Sequence, residues 1–68
     1  MNTASNLKII RELKGISQAE LGERIGVSQQ MIFQLEKGFR TLSVPLLISI
    51  SNALECTPND ILGFRKED

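Results

Sequence analysis

The 68-residue chain has no histidine, no tryptophan, no tyrosine, one cysteine and no excess of charge of either sign. Each absence removes a class of function. Without histidine there is no imidazole base and no Cys/His framework for a metal, and a lone Cys56 cannot form an internal disulfide. A nucleophile–base pair, a glycine-rich phosphate loop and metal-ligand spacing are all missing from the sequence. The chain therefore does not read as an enzyme, and no cofactor, metal or small-molecule ligand is expected. The longest apolar run, residues 44–48, contains Pro45 and is far too short to cross a bilayer. Residues 1–5 lack the basic-then-apolar pattern of a secretion signal, so a soluble cytoplasmic protein without membrane partners is expected. Eight basic residues balance eight acidic ones, and the pI is near 6.2. That balance counts, on its face, against nucleic-acid binding, which usually shows an excess of positive charge.

What the chain does have is aliphatic residues and helix punctuation. A domain of this size hides only about 60% of the surface its unfolded chain exposes, so leucine and isoleucine must form a tight core. One domain spanning residues 1–68 is expected, with its core in 5–63 and a frayed, charge-dense tail at 64–68. Capping residues stand ahead of apolar periodic segments at Ser5, Ser17, Ser28, Ser43 and Thr57, and glycines follow several of them. The pattern predicts an all-α fold of five short helices. The first runs from Ser5 to Lys14 with Leu7, Ile10 and Leu13 at spacing three, and stops at Gly15. The second opens on the capping box Ser17-Gln18-Ala19-Glu20 and ends near Ile25, where Gly26 can turn left-handed without steric cost. The third starts at Ser28 and ends at Lys37. The fourth is capped by Ser43, carries Pro45 in its first turn and runs to about Glu55; Thr57-Pro58 opens the fifth, which carries Ile61 and Leu62.

The informative span is Gln18–Lys37, QAELGERIGVSQQMIFQLEK. Two short helices meet at Gly26, and Leu21, Ile25, Val27, Ile32 and Leu35 can close one small core between them. Gly22 has no side chain, which lets the helices approach closely. This is the mechanical content of a helix-turn-helix. On a helical wheel Gln29, Gln30, Phe33, Gln34 and Lys37 fall within one arc of about 140°, opposite Met31, Ile32, Leu35 and Glu36. The exposed arc holds three amides, a ring and an ammonium, with no carboxylate.

The stretch from Leu7 to Leu62 resembles the lambda-repressor-like, Cro/C1-type (XRE family) helix-turn-helix DNA-binding domain. LKIIRELKGISQAEL, GVSQQMIFQLEKG and PLLISISNALECTPNDIL stand where that family places its five helices, and the third helix is similar to those of lambdoid phage repressors. The resemblance implies that the third helix enters the major groove of double-stranded DNA while the second crosses the backbone. Gln29, Gln30 and Gln34 would then read base edges, on an A-rich half-site of the ACAA type. Gln18 and Ser28 would touch phosphate, Ser28 serving either as cap and contact together or as cap alone, and Lys37 and Arg40 would neutralise phosphates. The resemblance also pairs Arg11 with Glu36 in a salt bridge between the first and third helices. Phe33 departs from the pattern: its ring either packs on thymine methyl groups or folds back against Gln29 and Lys37.

A half-site of about four base pairs cannot select a target in a genome, so proteins of this kind bind as two-fold dimers. On the fourth helix Leu47, Ile50 and Leu54 make the core stripe, with Leu46 and Ala53 at its margin. Val44 and Ile48 fall outside it and, with Phe64, form either a self-complementary dimer patch or scattered surface aliphatics. The leading expectation is a bacterial or phage transcriptional regulator, a repressor acting as a homodimer on a short pseudo-palindrome in the nucleoid. The alternative is an antitoxin or protein-interaction module that uses the same fold and regulates its own gene. Neutral net charge is compatible with either, because the carboxylates of Glu20, Glu23, Glu55 and Asp60 can point away from the amide-rich face.

Overall fold

Serine or threonine opens four of the five helices, in each case with the hydroxyl oxygen accepting from the backbone N–H three residues on. The computed structural model describes residues 3–63. In chain order they form α1 (Thr3–Leu13), α2 (Gln18–Ile25), α3 (Gln29–Lys37), α4 (Val44–Ala53) and α5 (Pro58–Leu62), with no strand among the described residues. Ser17, Ser28 and Ser43 cap α2, α3 and α4 with nearly the same extended backbone, and Thr57 caps α5. Each cap satisfies one of the donors a helix start leaves unpaired, which stabilises it by about 1 kcal/mol.

The reciprocal capping box forms at α5, where Thr57 and Asp60 each bond the other's backbone N–H, at 3.2 and 3.0 Å. At α2 it forms only by half. Ser17 Oγ accepts from the Glu20 N–H at 3.0 Å, but the Glu20 carboxylate turns along the helix to Arg24 at 2.7 Å. An ion pair one turn away holds this carboxylate, leaving the Ser17 backbone without it.

Helix boundaries differ from the sequence reading at both ends of the chain. α1 begins at Thr3, and Leu13 is 80% exposed at its last residue. A spacing of three falls short of the 3.6-residue turn, so by Leu13 the series has moved about 120° round from Leu7. Asn6, Leu7 and Arg11 are the buried residues of α1. α4 ends at Ala53, two residues early, because Glu55 takes a left-handed φ of 55° and reverses the chain.

Leu7, Leu21, Ile32, Ile50, Leu54 and Ile61 are sealed from solvent and join every helix to one core. Each such side chain contributes about 1.5–3 kcal/mol relative to an exposed one. α4 buries Leu47, Ile50 and Ser51, and the Ser51 hydroxyl donates to the Leu47 carbonyl at 2.7 Å, so its polar atom is satisfied inside the core.

Two glycines set the angle between α2 and α3. A Cβ on Gly22 would stand 2.6 Å from the Val27 carbonyl oxygen and 3.2 Å from the Ser28 backbone, so only hydrogen fits there. Gly26 ends α2 with φ 79°, where a side chain would be strained. Together they fold α3 back across α2 and fix what α3 presents.

Candidate nucleic-acid interface

α3 divides into two faces. Ile32, Leu35 and Glu36 are buried, whereas Gln29, Gln30, Phe33 and Lys37 are exposed and Gln34 is half-buried. Gln18, the first residue of α2, joins Gln29, Gln30 and Phe33 around one shallow surface cleft. The structure therefore brings Gln29, Gln30 and Phe33, three of the residues expected at base edges, together with one expected at phosphate, while Gln34 lies outside this cleft. Ser28, also exposed, has its oxygen committed to the Met31 N–H at 3.1 Å.

An ion pair holds this face in place from behind. Arg11 Nε donates to Glu36 Oε2 at 2.6 Å and Nη2 to Oε1 at 3.1 Å, while Nη1 donates to the Ile16 carbonyl at 2.7 Å. The side chains are only 9% and 2% exposed. Hydrogen bonding to Glu36, opposed by burial, raises the guanidinium further above its already high ordinary value. Gln18 Nε2 donates to the same carboxylate at 3.0 Å, so Glu36 ties the start of α2 and the last turn of α1 to the last turn of α3. The sequence pattern does not contain the Gln18–Glu36 bond. Gln18 as a phosphate contact would have to act through its backbone N–H or its second amide hydrogen.

On the exposed arc, Lys37 Nζ lies 5.7 Å from the centre of the Phe33 ring, within cation–π range. The ring is thus folded against Lys37 yet remains 41% exposed beside the glutamines. Past Gly38 the chain turns back: Gly38 adopts φ 78°, and the Phe39 N–H bonds the Gln34 carbonyl at 2.9 Å. That return places Arg40 Nε 3.1 Å from the side-chain oxygen of Gln34. That contact is set by the path of the loop after the helix.

The outer arc of α3 itself carries no carboxylate, although Glu12 of α1 lines a neighbouring cleft with Gln18, Phe33 and Lys37. Glu36 is buried and paired, and Glu20 is bound to Arg24. The apolar groups left outside the core include Val44 and Ile48 on α4, 67% and 48% exposed. Phe64, expected with them, lies outside the described residues. Among the described residues no cluster of His, Cys, Asp and Glu could hold a metal ion, and no helix is long and apolar enough to cross a membrane. Cys56 is half-buried, and burial with the nearby Asp60 pushes its thiol up.

Comparison with known proteins places this geometry in context. The helix-turn-helix family model HTH_3 matches residues 7–61. The uncharacterized HTH-type transcriptional regulator YozG of Bacillus subtilis is 31% identical over 93% of this chain and 76% of its own length. YgzD, another such regulator of the same bacterium, is also 31% identical, over 94% of this chain and 97% of its own. Among solved structures, the P22 c2 repressor in complex with synthetic operator 9T superposes with a TM-score of 0.84 at 31% identity, covering 91% of this chain and 94% of that one. The restriction-modification controller protein C.AhdI from Aeromonas hydrophila superposes at 0.83 with 25% identity, covering 87% and 86%. The all-α, five-helix arrangement is shared with both.

Proposed function

The chain belongs to the helix-turn-helix family of transcriptional regulators, and from that premise we propose that it represses transcription by binding a short pseudo-palindromic operator as a cytoplasmic, nucleoid-associated homodimer. Catalysis forms no part of this role. α3 lies in the major groove, and each protomer reads one half-site. The observation that carries the reading is the carboxylate-free arc of Gln29, Gln30, Phe33, Gln34 and Lys37, braced by the buried Arg11–Glu36 pair. Gln29 and Gln30, in the first turn of α3, pair with adenine through N6 and N7 in an A-rich half-site, each good pair discriminating by about 1–3 kcal/mol. Phe33 packs on thymine methyl groups. Gln18 and Ser28 lie at the starts of α2 and α3, where free N–H groups and the helix dipole favour phosphate. Lys37 and Arg40 neutralise phosphates at the far end.

Dimerisation uses the exposed aliphatics of α4, Val44 and Ile48, together with Phe64 of the C-terminal residues. The P22 c2 repressor, with its operator DNA in the solved complex, supports the docking geometry by likeness.

The test is selection from a random duplex pool followed by binding titrations. A two-fold-symmetric motif with A-rich half-sites, lost on Gln29→Ala and Gln30→Ala, is the expected result. Failure to enrich any duplex, with a folded protein, removes the DNA-binding reading. Sedimentation of Ile48→Glu, alone and on DNA, tests the dimer surface: unchanged assembly would remove α4 from it.

A further inference from the structure

The cleft that Glu12 lines lies between α1 and α3, has a volume of about 610 Å³, and shares Gln18 and Phe33 with the shallow cleft beside the glutamines. Lys8 and Ile9 of α1 and Lys37 of α3 complete the lining that matters here. We propose that this cleft binds a small organic anion with an aromatic or aliphatic body, and that such a ligand competes with operator DNA. The site is independent of the DNA-binding reading given above; the competition rests on it.

Two features set the chemistry of the ligand. Ile9 and Phe33 are large apolar side chains left 43% and 41% exposed, and they come from different helices to line one cavity. Single exposed apolar residues are ordinary on a protein surface. Two that share a concavity within the roughly 300–1,000 Å³ range of ligand pockets form a seat for an apolar body. The charged lining is cationic in balance: Lys8 and Lys37 bring two ammoniums against the one carboxylate of Glu12, because Glu36 is already neutralised by Arg11. None of Lys8, Glu12 and Lys37 forms an ion pair among the described residues. The Lys37 ammonium stands 5.7 Å from the centre of the Phe33 ring, so one small molecule can reach both. A bare phosphate would engage the ammoniums and leave Ile9 in water, whereas a neutral apolar molecule would leave the ammoniums unmatched. An anion with an apolar body engages both halves of the cleft.

No motif announces this site, because its two walls are far apart in the chain and meet only when α1 packs on α3. Its consequence follows from the shared lining. Gln18 and Phe33 belong to both clefts, so a molecule seated between α1 and α3 covers two residues assigned to the operator. By linkage, the factor by which the ligand weakens operator binding is the factor by which the operator weakens the ligand. Release of DNA would then need no separate effector domain.

The probe is 8-anilinonaphthalene-1-sulfonate, a fluorescent aromatic sulfonate, titrated into the 68-residue chain. N-phenyl-1-naphthylamine, which has the same aromatic body without the sulfonate, is its uncharged counterpart. Saturable binding of the sulfonate is expected, about tenfold tighter than that of the amine. Phe33→Ser and Ile9→Asn should each weaken it by about tenfold and, since both side chains are partly exposed, melt close to wild type. Glu12→Gln should strengthen it, and Leu13→Ser, which removes an exposed apolar group of α1 outside the cleft, should leave it unchanged. Equal binding of the two probes, or an affinity that survives both Phe33→Ser and Ile9→Asn, would overturn the site. An operator duplex obtained by selection should displace the sulfonate, and simultaneous binding of the two would overturn the competition. If no duplex is enriched, the DNA-binding reading falls with the competition, while the probe titrations still decide the cleft.

Discussion

Arg11 and Glu36 form a two-pronged ion pair between α1 and α3, at 2.6 and 3.1 Å, and the same carboxylate receives the amide of Gln18. Three helices meet at one buried charge. Glu36→Ala leaves the Arg11 guanidinium buried without its counter-ion and should destabilise the fold by about 3–5 kcal/mol. Replacing both partners with apolar groups, Arg11→Met with Glu36→Leu, should recover most of that loss. Urea denaturation followed by circular dichroism measures both; a single variant with unchanged midpoint would contradict the role assigned to the pair. DNA affinity should fall with Glu36→Ala as well, since the docking of α3 is what the pair fixes.

Gly22→Ala should be costly although alanine favours helices. The added Cβ would stand 2.6 Å from a backbone carbonyl that no rotamer change can move. Overpacking of this kind costs about 1–3 kcal/mol. The variant is expected to melt lower and, because α2 and α3 must separate, to lose DNA affinity even at temperatures where it remains folded.

Phe33→Ser should leave the melting temperature nearly unchanged, because the ring is 41% exposed and touches the ammonium of Lys37. Its effect belongs to base preference. Binding to duplexes with thymine replaced by uracil, which lacks the methyl group, should weaken for wild type and stay level for Phe33→Ser. Equal response of the two proteins would assign the ring to Lys37 alone.

The cap of α5 carries an acid-side pH dependence. Hydrogen bonds from the Thr57 backbone and side chain hold the Asp60 carboxyl below its ordinary value. A carboxylate with a depressed folded-state pKa contributes stability that is present above its unfolded value and is lost as pH falls through the folded one. Stability should therefore drop through the acidic end of the carboxylate range, and Asp60→Asn should flatten that part of the curve. Thermal melts across that range, wild type beside variant, provide the measurement.

Salt dependence of operator binding should be shallow. In the proposed complex Lys37 and Arg40 are the cations at the phosphate backbone, two per protomer, and each neutralised phosphate adds about 0.9 to the slope of log K against log salt. A dimer should show a slope of about four in magnitude. A slope near ten would mean that cations outside this face dominate the contact.

Much of this molecule is legible in its sequence, for local reasons. Ser17, Ser28, Ser43 and Thr57 announce helix starts because capping is a short-range bond, and the stripe of Leu47, Ile50 and Leu54 is a periodicity of α4 and its C-cap residue. The membership of the exposed arc on α3 follows from the same periodicity. Leu13 misled because spacing alone does not say where neighbouring helices stop covering a face. Glu20 misled because two partners compete for one carboxylate, and only the folded geometry decides between Ser17 and Arg24. Gln18 with Glu36, and Arg40 with Gln34, were out of reach for a related reason. Both depend on where a turn delivers a side chain.

The two faces of α3 have little in common energetically, and that bears on how such a protein can change its target. Ile32, Leu35 and Glu36 make the connections to the rest of the molecule, whereas Gln29, Gln30 and Phe33 are exposed. Substitutions along the outer arc should be close to free in folding energy, so a lineage or a designer can exchange the reading residues while the scaffold stays intact. Gln34 is the exception, because it is half-buried and its side-chain oxygen accepts from Arg40 Nε on the following loop. Exchanging it also cuts a tie between α3 and the chain that follows, so it is the one position of the arc whose replacement touches the scaffold.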